Sequence, residues 1–328
     1  MINEIRMRLL FELSGENPTL PLAELDCIGK VIDHRLQVAV VEVPGPKEAY
    51  RLAMTQVVSE YLGECEPTIP AFRNLLKDLE IESHRSFAGR VKKVHGGCKE
   101  RNTCSQQEFE KLIGTMISGP IALDRPEIVY RAILSEDRCY FGKVLFTIDR
   151  GIYDVRNPGK RTFFHPGVMM PRMARTLINL TCSQKGDVVL DPFCGTGGIL
   201  IEAGLLGMQI LGTDFDPVMV RGSLQNVTKA DLMVSDATHL PFKNKTVDAV
   251  VTDFPYGQSV CIKKTNSMEN LYSDALDEMH RVLRPGNRAV VVTHKDISEI
   301  IPSTMTILQH HEQRVHKSLT RRILVLTH

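Results

Sequence analysis

Two regimes of hydrophobic patterning divide this chain. In the first, strand-like and helix-like stretches mix without a strict order. Segments 7–13 and 35–43 are apolar runs bounded by polar residues and predict strands. Segment 20–30 predicts a short helix. Segment 47–63 carries apolar residues at helical spacing, with Gly63 placed to close it, and predicts a longer one. Segment 85–94 predicts a strand with basic residues interleaved. A helix over 105–117 opens on Ser105, three residues before Glu108, which is the capping-box pattern. Segment 127–146 predicts a two-stranded hairpin. The second regime is regular. Helices are predicted at 173–182, 197–207, 217–227 and 270–283, alternating with strands at 187–191, 210–214, 232–236, 247–253 and 288–294. Alternating strand and helix imply a parallel sheet covered on both faces. A closing strand pair, 305–315 and 321–328, is expected as a hairpin at one sheet edge. No internal repeat or low-complexity segment interrupts either regime.

Composition adds bounds to this picture. A length of 328 residues suggests two or three domains, and 43% hydrophobic with 24% charged residues is ordinary for a globular protein. The stretch 156–167 holds two prolines, two glycines and three basic residues, and reads as a linker. A net charge of +1 means that any polyanion site must be a local patch. The eight cysteines form no Cys-x-x-Cys pair, which favours reduced thiols and a cytoplasmic setting. Cys98 and Cys104, near His95, match no common zinc-ligand spacing, so no metal is expected. Acids at Glu4 and Glu12 and the lack of a long apolar run argue against a signal peptide and a membrane span.

The chemistry concentrates in the regular half. Four predicted strands end in an acid: Asp191, Asp214, Asp236 and Asp253. In a doubly wound sheet the carboxyl ends of the strands form the rim of the ligand crevice. The first strand–helix turn, "DPFCGTGG", brings Gly195, Thr196 and Gly197 to that rim, where glycines let a ligand approach the backbone. A nicotinamide fingerprint would need a third glycine where Leu200 stands, and an acid ahead of the turn would repel a pyrophosphate. The same Asp191 suits a ligand with a positive amine. Asp214 follows the turn at the spacing of a ribose acceptor. Asp236 with Ala237 suits the edge of an adenine. A cationic end, a ribose and an adenine together describe S-adenosylmethionine.

These motifs resemble the class I, Rossmann-like S-adenosylmethionine-dependent methyltransferases, with their seven-stranded sheet. "DFPYG" at 253–257 looks like the Asp/Asn-Pro-Pro-Tyr/Phe motif of the amino-methyltransferases. "HPGVMMPRMARTLINL" and "HKSLTRRILVL" are similar to segments of the archaeal and eukaryotic family that methylates guanine N2 at tRNA position 10, and "ELSGENPTLPLAEL" points the same way. The resemblance covers nearly the whole chain. It implies an α+β N-terminal region: a ferredoxin-like element at 1–50 and a THUMP RNA-binding domain at 51–152. A linker at 153–165 and a methyltransferase domain at 166–328 follow.

The resemblance also implies roles. Asp253 and the main-chain carbonyl of Phe254 accept the two N–H bonds of the target amine. Pro255 stiffens the turn, and Tyr256 stacks on the flipped base. Phe254 stands where the family has proline. It keeps the carbonyl and loses a constraint on φ.

Between 84 and 104, six cations (Arg85, Arg90, Lys92, Lys93, Lys99 and Arg101) face one acid, Glu100. By itself such a run reads as a solvated face; likeness to a THUMP domain makes it a tRNA-holding surface. Arg172, Arg175, Lys263, Lys264, Arg321 and Arg322 are candidates to extend it. The expected activity is tRNA guanine N2-methylation at position 10, giving mono- and dimethylguanosine. A guanine N2-methyltransferase of another tRNA or rRNA position, or a non-catalytic RNA-binding protein on a vestigial methyltransferase fold, remains open. A DNA adenine methyltransferase would lack the THUMP-like half. A monomer is expected, with a small activating subunit left open as a partner.

Overall fold

The computed structural model describes residues 6–94, 105–256, 267–317 and 319–328. It divides into two units, Met1–Asp149 and Arg150–His328.

The first unit holds one seven-stranded sheet. In chain order it comprises β1 (Met7–Leu13), a short helix α1 (Leu20–Ala23), β2 (Lys30–Arg35), β3 (Val38–Val43), β4 (Thr55–Cys65), α2 (Ile69–Leu79), β5 (Phe87–Lys93), α3 (Gln106–Met116), β6 (Ile128–Ser135) and β7 (Arg138–Thr147). The strands lie in the order β2-β3-β1-β4-β7-β6-β5. Strands from residues 1–50 and from 51–149 therefore share a sheet. Only the β5–β6 pair is parallel. Ser105 and Glu108 make the expected capping box on α3, with the Glu108 carboxylate 2.6 Å from the Ser105 amide.

One expectation fails here, one is trimmed, and one helix was not foreseen. Segment 47–63 is not a helix: a 3-10 turn at Pro46–Arg51 gives way to β4, an eleven-residue strand. Strand β4 pairs with β1 on one side and β7 on the other, and that central place outweighs local spacing. Gly63 lies inside the strand, where a Cβ would stand 2.9 Å from Leu75 of α2. The predicted strand 35–43 is β3 from Val38 onward, and Gln37, at φ +59°, turns the chain between β2 and β3. Helix α2, absent from the sequence reading, is capped by the Thr68 hydroxyl and buries Phe72 and Leu76 against the sheet.

The second unit follows the predicted alternation. It comprises α4 (Pro171–Leu180), β8 (Val188–Asp191), α5 (Gly198–Leu205), β9 (Gln209–Asp214), α6 (Pro217–Asn226), β10 (Ala230–Val234), β11 (Val247–Asp253), α7 (Met268–Val282), β12 (Leu283–Thr293), β13 (Thr306–His316) and β14 (Leu319–Thr327). The sheet order is β10-β9-β8-β11-β12-β14-β13. The first five strands run parallel; β14 is antiparallel to β12 and forms the edge hairpin with β13. From β8 the chain moves outward through β9 and β10, then crosses back to β11 on the other side. The switch point thus falls between β8 and β11. Leu190, Val250, Leu276, Met279, Ala289 and Leu324 pack in the core under this rim.

Residues of the predicted linker engage this second unit. The fully buried Glu202 of α5 accepts from Arg156 at 2.7 Å and from Arg175 of α4 at 3.0 Å. The Phe163 backbone exchanges two hydrogen bonds with the Asn226 side chain. No helix among the described residues is long and apolar enough to cross a membrane.

Candidate active site

Strands β8, β9 and β11 each deliver a carboxylate to the rim, at Asp191, Asp214 and Asp253. Asp236 departs from the prediction. Strand β10 stops at Val234, and Asp236 sits two residues on, in a turn closed by its own bonds to the Thr238 amide (3.0 Å) and hydroxyl (2.8 Å).

Asp191 is 1% exposed and accepts from the Thr252 hydroxyl at 2.7 Å and the Phe193 amide at 3.2 Å. Burial pushes its pKa up to about 7, against the pull of those two donors. Asp214 faces the glycine turn and accepts from the Gly195 and Asp216 amides, each at 2.9 Å. Burial raises its pKa as well.

The turn needs its glycines for two reasons. Gly195 has φ +50°, and a Cβ there would meet nothing within 4 Å, so the backbone faces open space. Gly197 has φ +79°, and a Cβ would stand 2.4 Å from the Ser223 hydroxyl and 2.5 Å from Val227. One glycine borders a space and the other packs against α6. Above the turn lies Arg161, whose guanidinium is 3.5 Å from the Thr196 hydroxyl and 3.0 Å from where a Cβ of Gly198 would stand. Burial lowers its pKa. Ala237, next to Asp236, packs in the core.

Asp253 ends β11. Its Oδ1 accepts from the Tyr256 hydroxyl at 2.6 Å, and its Oδ2 lies 3.5 Å from the guanidinium of Arg321. Arg321 also donates through Nε to the Tyr256 oxygen at 3.2 Å. Burial raises the Asp253 pKa; Arg321 and then Tyr256 act against it. The Tyr256 ring leans on His294 with centroids 4.8 Å apart. Phe254 turns the other way. Its ring is 1% exposed, stacks on Tyr272 at 4.5 Å and meets Phe193 edge-on at 5.4 Å. The Tyr272 hydroxyl donates to the Pro255 carbonyl at 2.5 Å. The unusual phenylalanine thus anchors the turn in the core.

The sequence reading missed Arg161, Thr252 and Tyr272, and read Arg321 as a surface cation. Arg321 is 8% exposed. Arg175 is buried on Glu202, and Arg322 donates to the His294 carbonyl at 3.0 Å. Each of these side chains is held by a residue distant in sequence, so no local spacing marks it as buried.

In the first unit the basic candidates separate. Arg85 is exposed on the approach to β5, an edge strand. Arg90 donates to the Leu123 and Gly89 carbonyls. Lys92 lies 2.8 Å from the buried Glu12, which also binds Arg131. Lys93 is half-buried. Lys99 and Arg101 lie outside the described residues, as do His95, Cys98, Cys104, Lys263 and Lys264. Among the described residues no group of three or more His, Cys, Asp or Glu could hold a metal ion.

Comparison with known proteins agrees with this arrangement. Residues 158–323 match the family of RMKL-like methyltransferase domains. The tRNA (guanine(10)-N2)-dimethyltransferase of Methanothermobacter thermautotrophicus is 33% identical, over 98% of this chain and 99% of that protein. The enzyme of the same name from Methanocaldococcus jannaschii is 30% identical, over 96% and 98%. Among solved structures, TrmN from Thermus thermophilus shares the fold along 98% of this chain and 99% of its own, with a TM-score of 0.53 at 20% identity. With a rim of acids on a class I methyltransferase sheet, and with relatives matched from end to end, the chain belongs to the tRNA (guanine(10)-N2)-dimethyltransferase family of RMKL-like methyltransferases.

Proposed function

We propose that this protein methylates the exocyclic N2 amine of a guanosine in tRNA, at position 10, and carries it to N2,N2-dimethylguanosine. The observation that bears most weight is the half-buried Asp253 carboxylate at the tip of β11, next to the switch point and the open glycine turn.

The rim residues fit S-adenosylmethionine. Gly195 leaves space at the backbone. Asp214 is fixed by two amides and keeps lone pairs for ribose hydroxyls. We assign Asp236 and Ala237 to the adenine, Asp191 to the amine, and Arg161, beside Thr196, to the carboxylate. Bound there, S-adenosylmethionine supplies a methyl group already activated on a positive sulfur.

The chain's own residues then act on the amine. Guanine N2 is a poor nucleophile, because its lone pair is shared with the ring. As a bond to the methyl carbon forms, the carbon–sulfur bond breaks with its electron pair kept by sulfur; the nitrogen becomes tetrahedral and positive, its N–H bonds become stronger donors, and it then sheds one proton toward the Asp253 carboxylate. The Asp253 carboxylate and the Phe254 carbonyl accept these bonds. Acceptors of this kind favour the transition state over the resting base. Phe254 holds its carbonyl in place through a ring locked between Tyr272 and Phe193. Tyr256 presents a ring face to the flipped base. The first unit is the tRNA-holding, THUMP-like part, with Arg85 exposed on the approach to β5.

The test is nucleoside mass spectrometry with site mapping on unmodified tRNA transcripts, using the purified chain alone and its Asp253→Ala variant. Dimethylguanosine at position 10, absent with the variant, is expected. Tight tRNA binding without methylation, restored by cell extract, would add an activating subunit. A different mapped position would overturn the target and keep the chemistry.

A further inference from the structure

Resting on that reading, a task at the rim falls to a residue that the sequence placed on the RNA surface. Arg321 lies near the start of β14, the antiparallel strand, so it arrives at the same rim as the carboxyl ends of the parallel strands. Its chain neighbour Arg322 pairs with Thr293, one residue beyond Val292, which pairs with Asp253. The guanidinium is fixed there and faces inward, 8% exposed.

We propose that Arg321 is the positioning residue of the catalytic acid: it keeps the Asp253 carboxylate ionised and turned so that Oδ2 is the oxygen offered to the guanine amine. The surroundings of the two oxygens differ. Oδ1 is taken by a short hydrogen bond of 2.6 Å from Tyr256. Oδ2 has the Arg321 nitrogen at 3.5 Å, beyond a good hydrogen bond and well within strong electrostatic reach. A charge at that distance favours the ionised form without using up the lone pair that the substrate needs. The Arg321 Nε bond to the Tyr256 oxygen, 3.2 Å, points the phenol proton at Oδ1 and ties acid and aromatic into one unit.

A nearby cation is needed because the other surroundings oppose ionisation. Burial raises the Asp253 pKa, and Asp191 on β8 adds a like charge when ionised. Tyr272 from α7 is a phenol near this acid, held neutral by burial, with a pKa pushed up to about 12. His294, after β12, faces Tyr256, and its own pKa is lowered by burial and by the neighbouring charges of Lys295 and Arg322. Among the described residues, Arg321 is the cation that the acid meets.

The experiment is the pH profile of kcat/KM for tRNA, with full-length wild type, Arg321→Met, Arg321→Lys and Arg321→Gln. Activity needs the carboxylate, so it falls as pH drops through the Asp253 pKa. Loss of the neighbouring charge raises that pKa. The acid limb is expected to move up by about one pH unit or more in the Met and Gln variants and to return toward wild type in the Lys variant. A uniform loss with an unmoved limb would make the residue merely structural. A raised KM for tRNA with a shallower salt dependence and an unmoved limb would make it a phosphate contact. Either result overturns the proposal. If the Met variant fails to fold, the Lys and Gln pair decides by the same limb.

A second readout needs no turnover. Arg321→Gln should lower Tm more at pH 7 than at pH 4.5, and this difference should vanish in an Asp253→Asn background. An equal loss at both pH values overturns the inference. If wild type methylated no guanosine while this linkage held, the proposed function alone would fail.

Discussion

Residue by residue, the site is a set of acids whose burial is compensated to unequal degrees. Asp191 shows this most directly. Its pKa is raised by burial to about 7, so the folded state keeps a proton that the unfolded chain releases near its ordinary, lower value. Stability from this group is therefore greatest at low pH and is lost as pH rises toward and through 7. The ceiling is about 4 kcal/mol for a shift of this size. Asp191→Asn, which can still accept from Thr252, should flatten that slope and raise Tm at pH 8, with little change at pH 4.5, by thermal denaturation. Phe254 carries a second prediction. Replacing it with proline removes a ring stacked on Tyr272 and met edge-on by Phe193. The expected cost is about 3–5 kcal/mol, as for other buried aromatic truncations, seen as a fall in denaturation midpoint. The residue that looked like a defect in a motif is a core side chain.

Among the elements, the glycine turn separates packing from binding. Gly195→Ala meets no atom and bears only the strain of a positive φ, about 1 kcal/mol. It should fold near normally and lose affinity for S-adenosylmethionine, measured by calorimetry. Gly197→Ala runs into Ser223 and Val227 and should destabilise the fold by about 1–3 kcal/mol, as overpacked sites do, seen as a lower Tm. The elements also show what the chain makes legible. From β8 to β14 each strand and helix could be read, because a parallel sheet buried on both faces leaves unbroken apolar runs between amphipathic helices. In the first unit β1, β5, α3 and the β6–β7 hairpin stand where the sequence put them, and one long segment does not. Segment 47–63 has helical spacing, and only its pairing with β1 and β7, far away in sequence, makes it β4. In the site, Asp191, Asp214 and Asp253 were legible as strand ends. Arg321 was not, because α7, β12 and β13 lie between it and Asp253 in the chain, and no local spacing records their contact.

Over the whole molecule, charge is nearly balanced, with a net of +1, so any hold on tRNA must be local and sensitive to salt. Arg85→Ala should weaken tRNA binding and make the dependence of log Kd on log salt shallower by about one phosphate's worth. Affinity for S-adenosylmethionine should not change, and filter binding across a salt series together with calorimetry reads both effects. Arg90 and Lys92 should matter less for RNA, since their side chains already serve Leu123 and Glu12. The antiparallel course of β14 has a consequence in time. All the acids of the rim leave the ribosome before Arg321 does. The glycine turn and all five parallel strands are therefore made before the residue that gives Asp253 its neighbouring cation.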